Sequence, residues 1–239
     1  MPEQRKEKRM SRESKRNFSI AGVLLLFFVL FTIAVLKVDV QAIGPKNSSV
    51  GLASVNGFLF EKLGEHAFFD TLTDLLLAVA FLIVFAFFVI GLKQLIQRKS
   101  LWKIDNGILA LALFYVLVAA FYVLFEIVIV NYRPVLEDGE LAASYPSSHT
   151  MLVCCIVGSA LIQLHRMLKE NKAMRVFIEV LGIVLILTAI IGRMLSGVHW
   201  FTDVSGGALL SAALVMLYYA AVVFMDEQTD FFCAKFCKK

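Results

Sequence analysis

The stretch ILALALFYVLVAAFYVLFEIVIVNYRP, residues 108–134, decides the fold class of this protein. Its first 18 residues carry no charge, and such a run is long enough to cross a hydrocarbon core of about 30 Å. A soluble helix keeps one polar face, whereas this run is apolar on every face. We therefore interpret the stretch as a membrane-spanning helix. It should end at Arg133, because the residue before a proline disfavours helical geometry.

Five further apolar runs accompany this helix along the chain. They are residues 18–36, 75–92, 147–164, 180–192 and 204–225, and the run at 180–192 lengthens to 174–195 if its flanking charges lie at the two interfaces. The chain is 59% hydrophobic with a mean hydropathy of +0.79, which excludes an ordinary soluble domain. The sequence thus predicts an all-α membrane protein, a single bundle of six transmembrane helices over residues 18–225.

The segments outside the six spans are predicted from their polarity. Residues 1–17 are charge-rich and are expected to form a tail without fixed structure, and residues 226–239 form a second tail. The segment 48–70 mixes apolar and polar residues at helical spacing, which predicts a short amphipathic helix at the outer interface between the first two spans. Its His66 is interpreted as an interfacial residue without a catalytic role.

Basic residues predict the orientation of the bundle. Six spans place both termini on one side of the membrane, and that side holds 18 of the 23 lysines and arginines. The positive-inside rule then puts both termini in the cytoplasm. The net charge of +4 follows from this topology, so we expect no nucleic-acid partner.

Cysteine and histidine spacing suggests neither a disulfide framework nor a metal site. Two of the four cysteines, Cys154 and Cys155, lie inside the fourth span, and the other two lie in the C-terminal tail. No spacing of histidine and cysteine resembles a zinc site. We expect no metal and no cofactor.

Three polar clusters lie at span ends that the predicted topology places on the outer side. They are NYRP at 131–134, YPSSHT at 145–150 and GRMLSGVHWFTD at 192–203. Arginine forks match phosphate oxygens, and the free amides at a helix N-terminus add donors for an anion. A histidine oriented by a carboxylate can attack phosphorus, while a second histidine protonates the leaving group. Each cluster alone is compatible with a structural role, but together they favour phosphoryl transfer.

These clusters resemble the three-part motif of the membrane-bound type-2 phosphatidic acid phosphatases, within the vanadium haloperoxidase/acid phosphatase superfamily. That motif is Lys-x6-Arg-Pro, then Pro-Ser-Gly-His, then Ser-Arg-x5-His-x3-Asp. Here the corresponding residues are Glu126, Arg133 and Pro134, then Pro146, Ser147, Ser148 and His149, then Gly192, Arg193, His199 and Asp203. The six-span layout, with the motifs at the ends of spans three to six, also resembles this family.

The resemblance implies a role for each matching residue. His199 would be the nucleophile, oriented by Asp203, and His149 would be the general acid and then the base that activates water. The phosphate would be held by Arg133 and Arg193 and by the amides around Ser147 and Ser148. The mechanism that this family uses requires no metal.

Three positions depart from the family pattern. Ser148 replaces a glycine, Gly192 replaces a serine, and Glu126 replaces a lysine, which reverses a charge. If the third span is helical to Arg133, Glu126 lies about 10 Å deeper on the same face. A charge at the centre of a span costs about 2.5–3.5 kcal/mol, so this carboxylate should be paired, protonated or in contact with water.

Three interpretations of Glu126 remain open. It could pair with Arg133, with Arg193 or with a tyrosine such as Tyr122, without effect on catalysis. It could recognise a cationic or hydroxyl-rich part of the substrate. It could also weaken the phosphate site, because two like charges 4 Å apart repel by about 4 kcal/mol at an effective dielectric near 20.

The sequence therefore predicts a lipid phosphatase of a bacterial plasma membrane, with its site on the outer face. The expected substrate is a membrane lipid carrying a phosphomonoester or pyrophosphate, such as phosphatidic acid, phosphatidylglycerol phosphate or a polyprenyl pyrophosphate. One alternative is a phosphotransferase that passes the phosphate to an acceptor hydroxyl. Another, a non-catalytic binding protein or transporter, is disfavoured by His149, His199 and Asp203 and by the lack of paired broken helices.

Overall fold

The structure, a computed structural model, describes residues 10–236, with the side chains of residues 102 and 230–236 excepted. Seven α-helices make up most of this part, joined by short 3-10 turns and irregular loops. In chain order they are α1 (Arg12–Lys37), α2 (Ala53–Leu63), α3 (Ala67–Arg98), α4 (Asn106–Ile127), α5 (Ser148–Met167), α6 (Lys172–Leu195) and α7 (Phe201–Phe236).

Six of these helices are long and apolar enough to cross a membrane, namely all but α2. The prediction of six transmembrane helices is therefore confirmed. The short α2 lies between the first two spans, as the sequence predicted, and it ends where Gly64 adopts a φ of 70°. Residues 67–70 begin the next span instead of extending this short helix. The location of α2 at the membrane interface stays a prediction.

The spans extend beyond the apolar runs that predicted them. Helix α1 begins at Arg12 with Ser11 as its N-cap, so residues 12–17 are helical and the prediction of an unstructured tail is wrong for them. The rest of that prediction falls on residues 1–9, which lie outside the described residues. At the other end, α7 continues through residue 236, so much of the predicted second tail prolongs the sixth span.

Helix α4 ends at Ile127, six residues before the predicted end at Arg133. Three β-branched residues follow, at 128–130, and such residues favour extended backbone over helix. The side chain of Asn131 accepts a hydrogen bond from the amide of Gly51 (3.3 Å), which holds this segment away from the helix. The prediction that Glu126 and Arg133 share one helix face is therefore wrong.

The residues between α4 and α5 form an irregular hairpin. Arg133 donates its amide to the carbonyl of Ala142 (3.0 Å), and Ser144 donates to the carbonyl of Asn131 (3.0 Å). This hairpin brings the chain back to the first turn of α5, the most buried of the six spans. We call this end of the bundle, where α4 and α6 end and α3, α5 and α7 begin, the site end.

Candidate functional site

The starts of α5 and α7 are fixed to each other at the site end. The amide of Ser147 donates to the backbone carbonyl of Asp203 (2.9 Å). The close approach of α5 and α7 requires glycine at position 207, because a Cβ there would lie 2.8 Å from the carbonyl oxygen of Ser147. The second and third motifs of the sequence therefore meet in one place.

Ser147 is the N-cap of α5, as its sequence position predicted. Its hydroxyl accepts from the amide (3.4 Å) and the hydroxyl (3.1 Å) of Thr150. The Ser147 amide is bonded to Asp203, so this backbone donor is not free for a phosphate. The hydroxyl keeps its own O–H donor, and the binding role of Ser147 and Ser148 stays a prediction.

His199 precedes α7 and does not lie in it. The helix begins at Phe201, and the carboxylate of Asp203 accepts from the amide of Trp200 (2.9 Å). This bond uses the Asp203 side chain to satisfy a free donor at the helix start. His199 lies in the preceding turn, where Gly197 has a φ of 77°.

Ser144 connects the imidazole of His199 to the carboxylate of Asp203. Its hydroxyl lies 3.0 Å from Nδ1 of His199 and also bonds to Oδ2 of Asp203, while the direct distance between Nδ1 and Oδ2 is 3.8 Å. An ionised carboxylate only accepts, so the Ser144 hydroxyl donates to Asp203 and accepts from Nδ1–H. In the neutral imidazole this leaves the lone pair on Nε2.

Burial keeps His199 neutral. Its side chain is 1% exposed, and desolvation lowers its pKa to about 4. The positive charges of Arg193 and Arg133 add to this lowering of the pKa, whereas Asp203 opposes it. At neutral pH the buried Nε2 is therefore an unprotonated nitrogen, and it has no hydrogen-bond partner among the described residues.

A buried amide network holds Asp203 and the start of α7. Asn131 donates to Oδ1 of Asp203 (3.4 Å), and Asn56 of α2 donates to the hydroxyl of Thr202 (2.9 Å) and accepts from its amide (3.1 Å). All four of these side chains are buried. The short helix α2 thus acts as a support for the site, a role that its amphipathic pattern did not reveal.

Arg193 lies at the end of α6 with 2% of its side chain exposed. Its Nη1 bonds to Asp70 (2.5 Å) and to the hydroxyl of Thr73 (3.1 Å), both on α3. Its Nε is buried and has no partner among the described residues. One edge of the guanidinium is thus anchored, and the Nε edge keeps an unused donor.

The glycine before this arginine has a packing reason. A Cβ on Gly192 would lie 2.8 Å from Cγ2 of Thr73. The serine that the family motif has at this position would therefore collide with α3. The departure at residue 192 follows from the close contact between α3 and α6.

His149 and Arg133 also pair with carboxylates. Nε2 of His149 lies 2.9 Å from Oδ1 of Asp74, and its Nδ1 is buried without a partner among the described residues. Nη1 of Arg133 lies 3.3 Å from Oε2 of Glu137, which is four residues further along the hairpin. The two carboxylates are about half exposed, so both ion pairs border open space.

Two openings flank the first turn of α5. A cavity of about 490 Å³ is lined by both arginines and by His149, together with Asp70, Asp74 and Glu137. On the other side of the turn, Glu126, Ser148 and His199 line a narrow cleft with room for about one water molecule. The structure thus brings all the predicted residues to the site end, and those that line open space are divided between two openings.

Glu126 makes no hydrogen bond or ion pair with any described residue. It lies in the last turn of α4 and is exposed, facing the cleft that His199 also lines. Arg193 is paired with Asp70, and Arg133 with Glu137, so neither arginine pairs with Glu126. The structure therefore does not contain the pairing with an arginine that the first interpretation of Glu126 included.

Sequence reasoning missed three groups with functional contacts: Ser144, Asp70 and Asp74. The aspartates carried little signal, because Asp70 lay in the predicted interfacial segment 48–70 and Asp74 lay just before the apolar run at 75–92. Ser144 carried no signal, since a loop serine two residues before a proline is unremarkable. Among the described residues, no group of three or more histidines, cysteines or carboxylates is arranged to hold a metal ion.

Comparison with known proteins agrees with this layout. Residues 108–225 match the family model described as the PAP2 superfamily. The chain is similar in structure to a transmembrane PAP2-type phosphatidylglycerolphosphate phosphatase from Bacillus subtilis, with a TM-score of 0.60 and 20% sequence identity. The superposition covers 83% of this chain and 94% of the Bacillus chain. None of the curated proteins matches the chain.

Proposed function

Because the chain belongs to the PAP2 superfamily of phosphatases, we propose that this multi-pass membrane protein hydrolyses the phosphate ester or pyrophosphate of a membrane lipid. The observation that carries the proposal is the pair of unused nitrogens at the site end. Nε2 of His199 and Nε of Arg193 are buried, yet neither has a partner among the described residues. A buried polar atom without a partner is costly, so a ligand oxyanion complements the Nε–H of Arg193, while the lone pair of His199 Nε2 is free to approach an electrophilic phosphorus.

His199 is the nucleophile of the proposed reaction. Its neutral Nε2 attacks phosphorus, forming a P–N bond while the P–O bond to the leaving group breaks. The positive charge that develops on the imidazole is stabilised through Nδ1–H, the Ser144 hydroxyl and the Asp203 carboxylate. The product of this step is a phosphohistidine.

The remaining residues hold the phosphate and move protons. Arg193 donates from Nε, Arg133 adds a second positive charge, and Ser148 offers the free donors of the first turn of α5. His149 gives a proton to the departing oxygen and then takes one from the water that cleaves the P–N bond. This assignment places the phosphate over the first turn of α5, between the two openings, and needs no metal in any step.

The proposed substrate is a lipid phosphate presented by the bilayer at the site end. Phosphatidic acid, phosphatidylglycerol phosphate and polyprenyl pyrophosphate all fit this description. The structural neighbour is named for phosphatidylglycerolphosphate, which makes that lipid the first to test. On the strength of the lysine and arginine distribution, we propose that both termini lie in the cytoplasm and that the site faces outward.

The test is phosphate release by the purified protein from these three lipids, with His199→Ala as the inactive control. The wild-type protein should release phosphate from at least one lipid, and the variant should not. Equal release by both proteins would overturn the proposal. Adding glycerol as an acceptor, and analysing the lipid and alcohol products, distinguishes hydrolysis from phosphotransfer to a hydroxyl.

A further inference from the structure

Two aspartates on α3 enter the candidate site from outside the region that matches the family model. Asp70 and Asp74 lie one turn apart on the same helix face, and that match begins only at residue 108. Each contacts a different cationic or basic side chain of the site. Asp70 bonds to Nη1 of Arg193 (2.5 Å), whereas Asp74 bonds to Nε2 of His149 (2.9 Å).

We propose that Asp74 is a positioning residue for His149, fixing its ring so that Nδ1 is the atom that exchanges protons with the substrate. The Asp74 carboxylate accepts from Nε2–H, which assigns the neutral tautomer with its lone pair on Nδ1. That Nδ1 is buried and has no partner among the described residues. The two histidines of the site are therefore used in opposite senses, His199 through Nε2 and His149 through Nδ1.

The proton balance of the two steps follows from this assignment. With the substrate phosphate bound, His149 enters the first step protonated at both nitrogens, and its Nδ1–H goes to the leaving oxygen as the P–O bond breaks. The neutral ring then accepts a proton from water at Nδ1 as the water oxygen attacks the phosphohistidine. Nε2–H stays on Asp74 throughout, so the ring returns to its starting state without rotating.

The charges around His149 separate the roles of the two aspartates. Arg193 on α6 and Arg133 in the hairpin line the same cavity as His149, and Asp74 is the carboxylate in contact with its ring. Arg193 is 3.8 Å from Asp74 but 2.5 Å from Asp70, so Asp70 is its principal partner. Loss of Asp74 should thus impair the protonated state of His149, whereas loss of Asp70 should impair the placement of Arg193.

This inference rests on the proposed phosphatase activity, and a change of leaving group tests it. An alkyl phosphate such as phosphatidic acid needs a proton donor for its leaving oxygen, whereas p-nitrophenyl phosphate releases a stable phenolate without one. We expect Asp74→Asn to lower kcat/KM for the alkyl ester about 10- to 100-fold and for the aryl ester less than about 3-fold. Asp70→Asn, the charge-matched control, should lower both values by a similar factor.

A double variant supplies the second readout. If Asp74 acts through His149, then Asp74→Asn should cause no further loss in a His149→Ala background. Circular dichroism and gel filtration in detergent verify folding, and Asp74→Ser carries the same test if Asp74→Asn does not fold. Equal losses on both esters, or additive losses in the double variant, would overturn the inference. Activity that survives His199→Ala would instead overturn the proposed function.

Discussion

Nδ1 of His199 and Oδ2 of Asp203 are 3.8 Å apart, and the hydroxyl of Ser144 occupies the space between them. The aspartate therefore acts on the imidazole mainly through a third side chain that comes from a different loop. The hairpin between α4 and α5 supplies that side chain, so the geometry of the nucleophile depends on a segment without regular secondary structure.

Removing the bridging hydroxyl should slow the reaction. Hydrogen bonds to charged groups contribute about 1.5–3 kcal/mol, so Ser144→Ala should lower kcat about 10- to 100-fold. Because the hydroxyl does not touch the substrate, KM should change little. Ser159→Ala, which alters a buried serine in the middle of α5, is the matched control. Wild-type kcat in Ser144→Ala would show that Asp203 does not need the bridge.

The packing around residue 192 predicts a rescue. Gly192→Ser restores the serine of the family motif but places its Cβ against Cγ2 of Thr73, which should destabilise the protein by about 1–3 kcal/mol. Thr73→Ser removes that methyl group while keeping the hydroxyl that bonds to Arg193. Thermal unfolding in detergent should therefore show lower stability for Gly192→Ser and recovery in the double variant. A Gly192→Ser protein as stable as wild type would contradict this packing.

Charge reversal at Glu126 tests the position that departs furthest from the family motif. The carboxylate is exposed and unpaired among the described residues, and it faces the cleft of His199. Replacing a negative charge by a positive one about 8 Å from a phosphate in water is worth about 1 kcal/mol, so Glu126→Lys should lower KM for phosphatidic acid roughly 5-fold. Glu61→Lys, at an exposed position of α2 away from both openings, is the control for net charge. A fall in activity would instead favour recognition of the substrate by Glu126.

The protonation of His199 predicts the acid limb of the pH profile. Its ordinary pKa is near 6.5, but burial lowers the folded pKa to about 4. Since only the neutral ring can attack, protonation should remove activity below about pH 5 and not at pH 6. The measurement is kcat/KM from pH 4 to 8, corrected for ionisation of the substrate phosphate. An acid limb centred near pH 6.5 would show that the nucleophile is not desolvated.

The orientation of the bundle can be tested with single cysteines. Glu140→Cys lies in the hairpin at the site end, and Lys103→Cys lies between α3 and α4 at the opposite end. In a chain whose native cysteines are replaced by alanine, a membrane-impermeant maleimide applied to intact cells should label residue 140 only. Labelling of residue 103 in its place would invert the proposed topology.

The sequence by itself determined the class of fold and most of the site. Six apolar runs are long enough to cross a bilayer, one of them only when it is extended past flanking charges to 174–195, and such runs form helices there because lipid satisfies no backbone hydrogen bond. The motif residues lie at or near the ends of those helices, and their meeting at one end of the bundle follows from the alternating direction of the spans. They are Arg133, His149, Arg193, His199 and Asp203. Predicting that these residues meet at one end of the bundle required the topology of the spans and no distance between residues.

The tertiary structure decided the contacts that give each residue its chemistry. The end of α4 at Ile127 could not be read from Pro134, because Asn131 is held by Gly51, a residue about 80 positions away. Ser144 reaches His199 only through the return of the hairpin, and Asp74 reaches His149 only because α3 packs beside α5. Hydrophobic patterning fixes which segments enter the membrane, whereas hydrogen bonds between distant residues fix which nitrogen of each histidine is free.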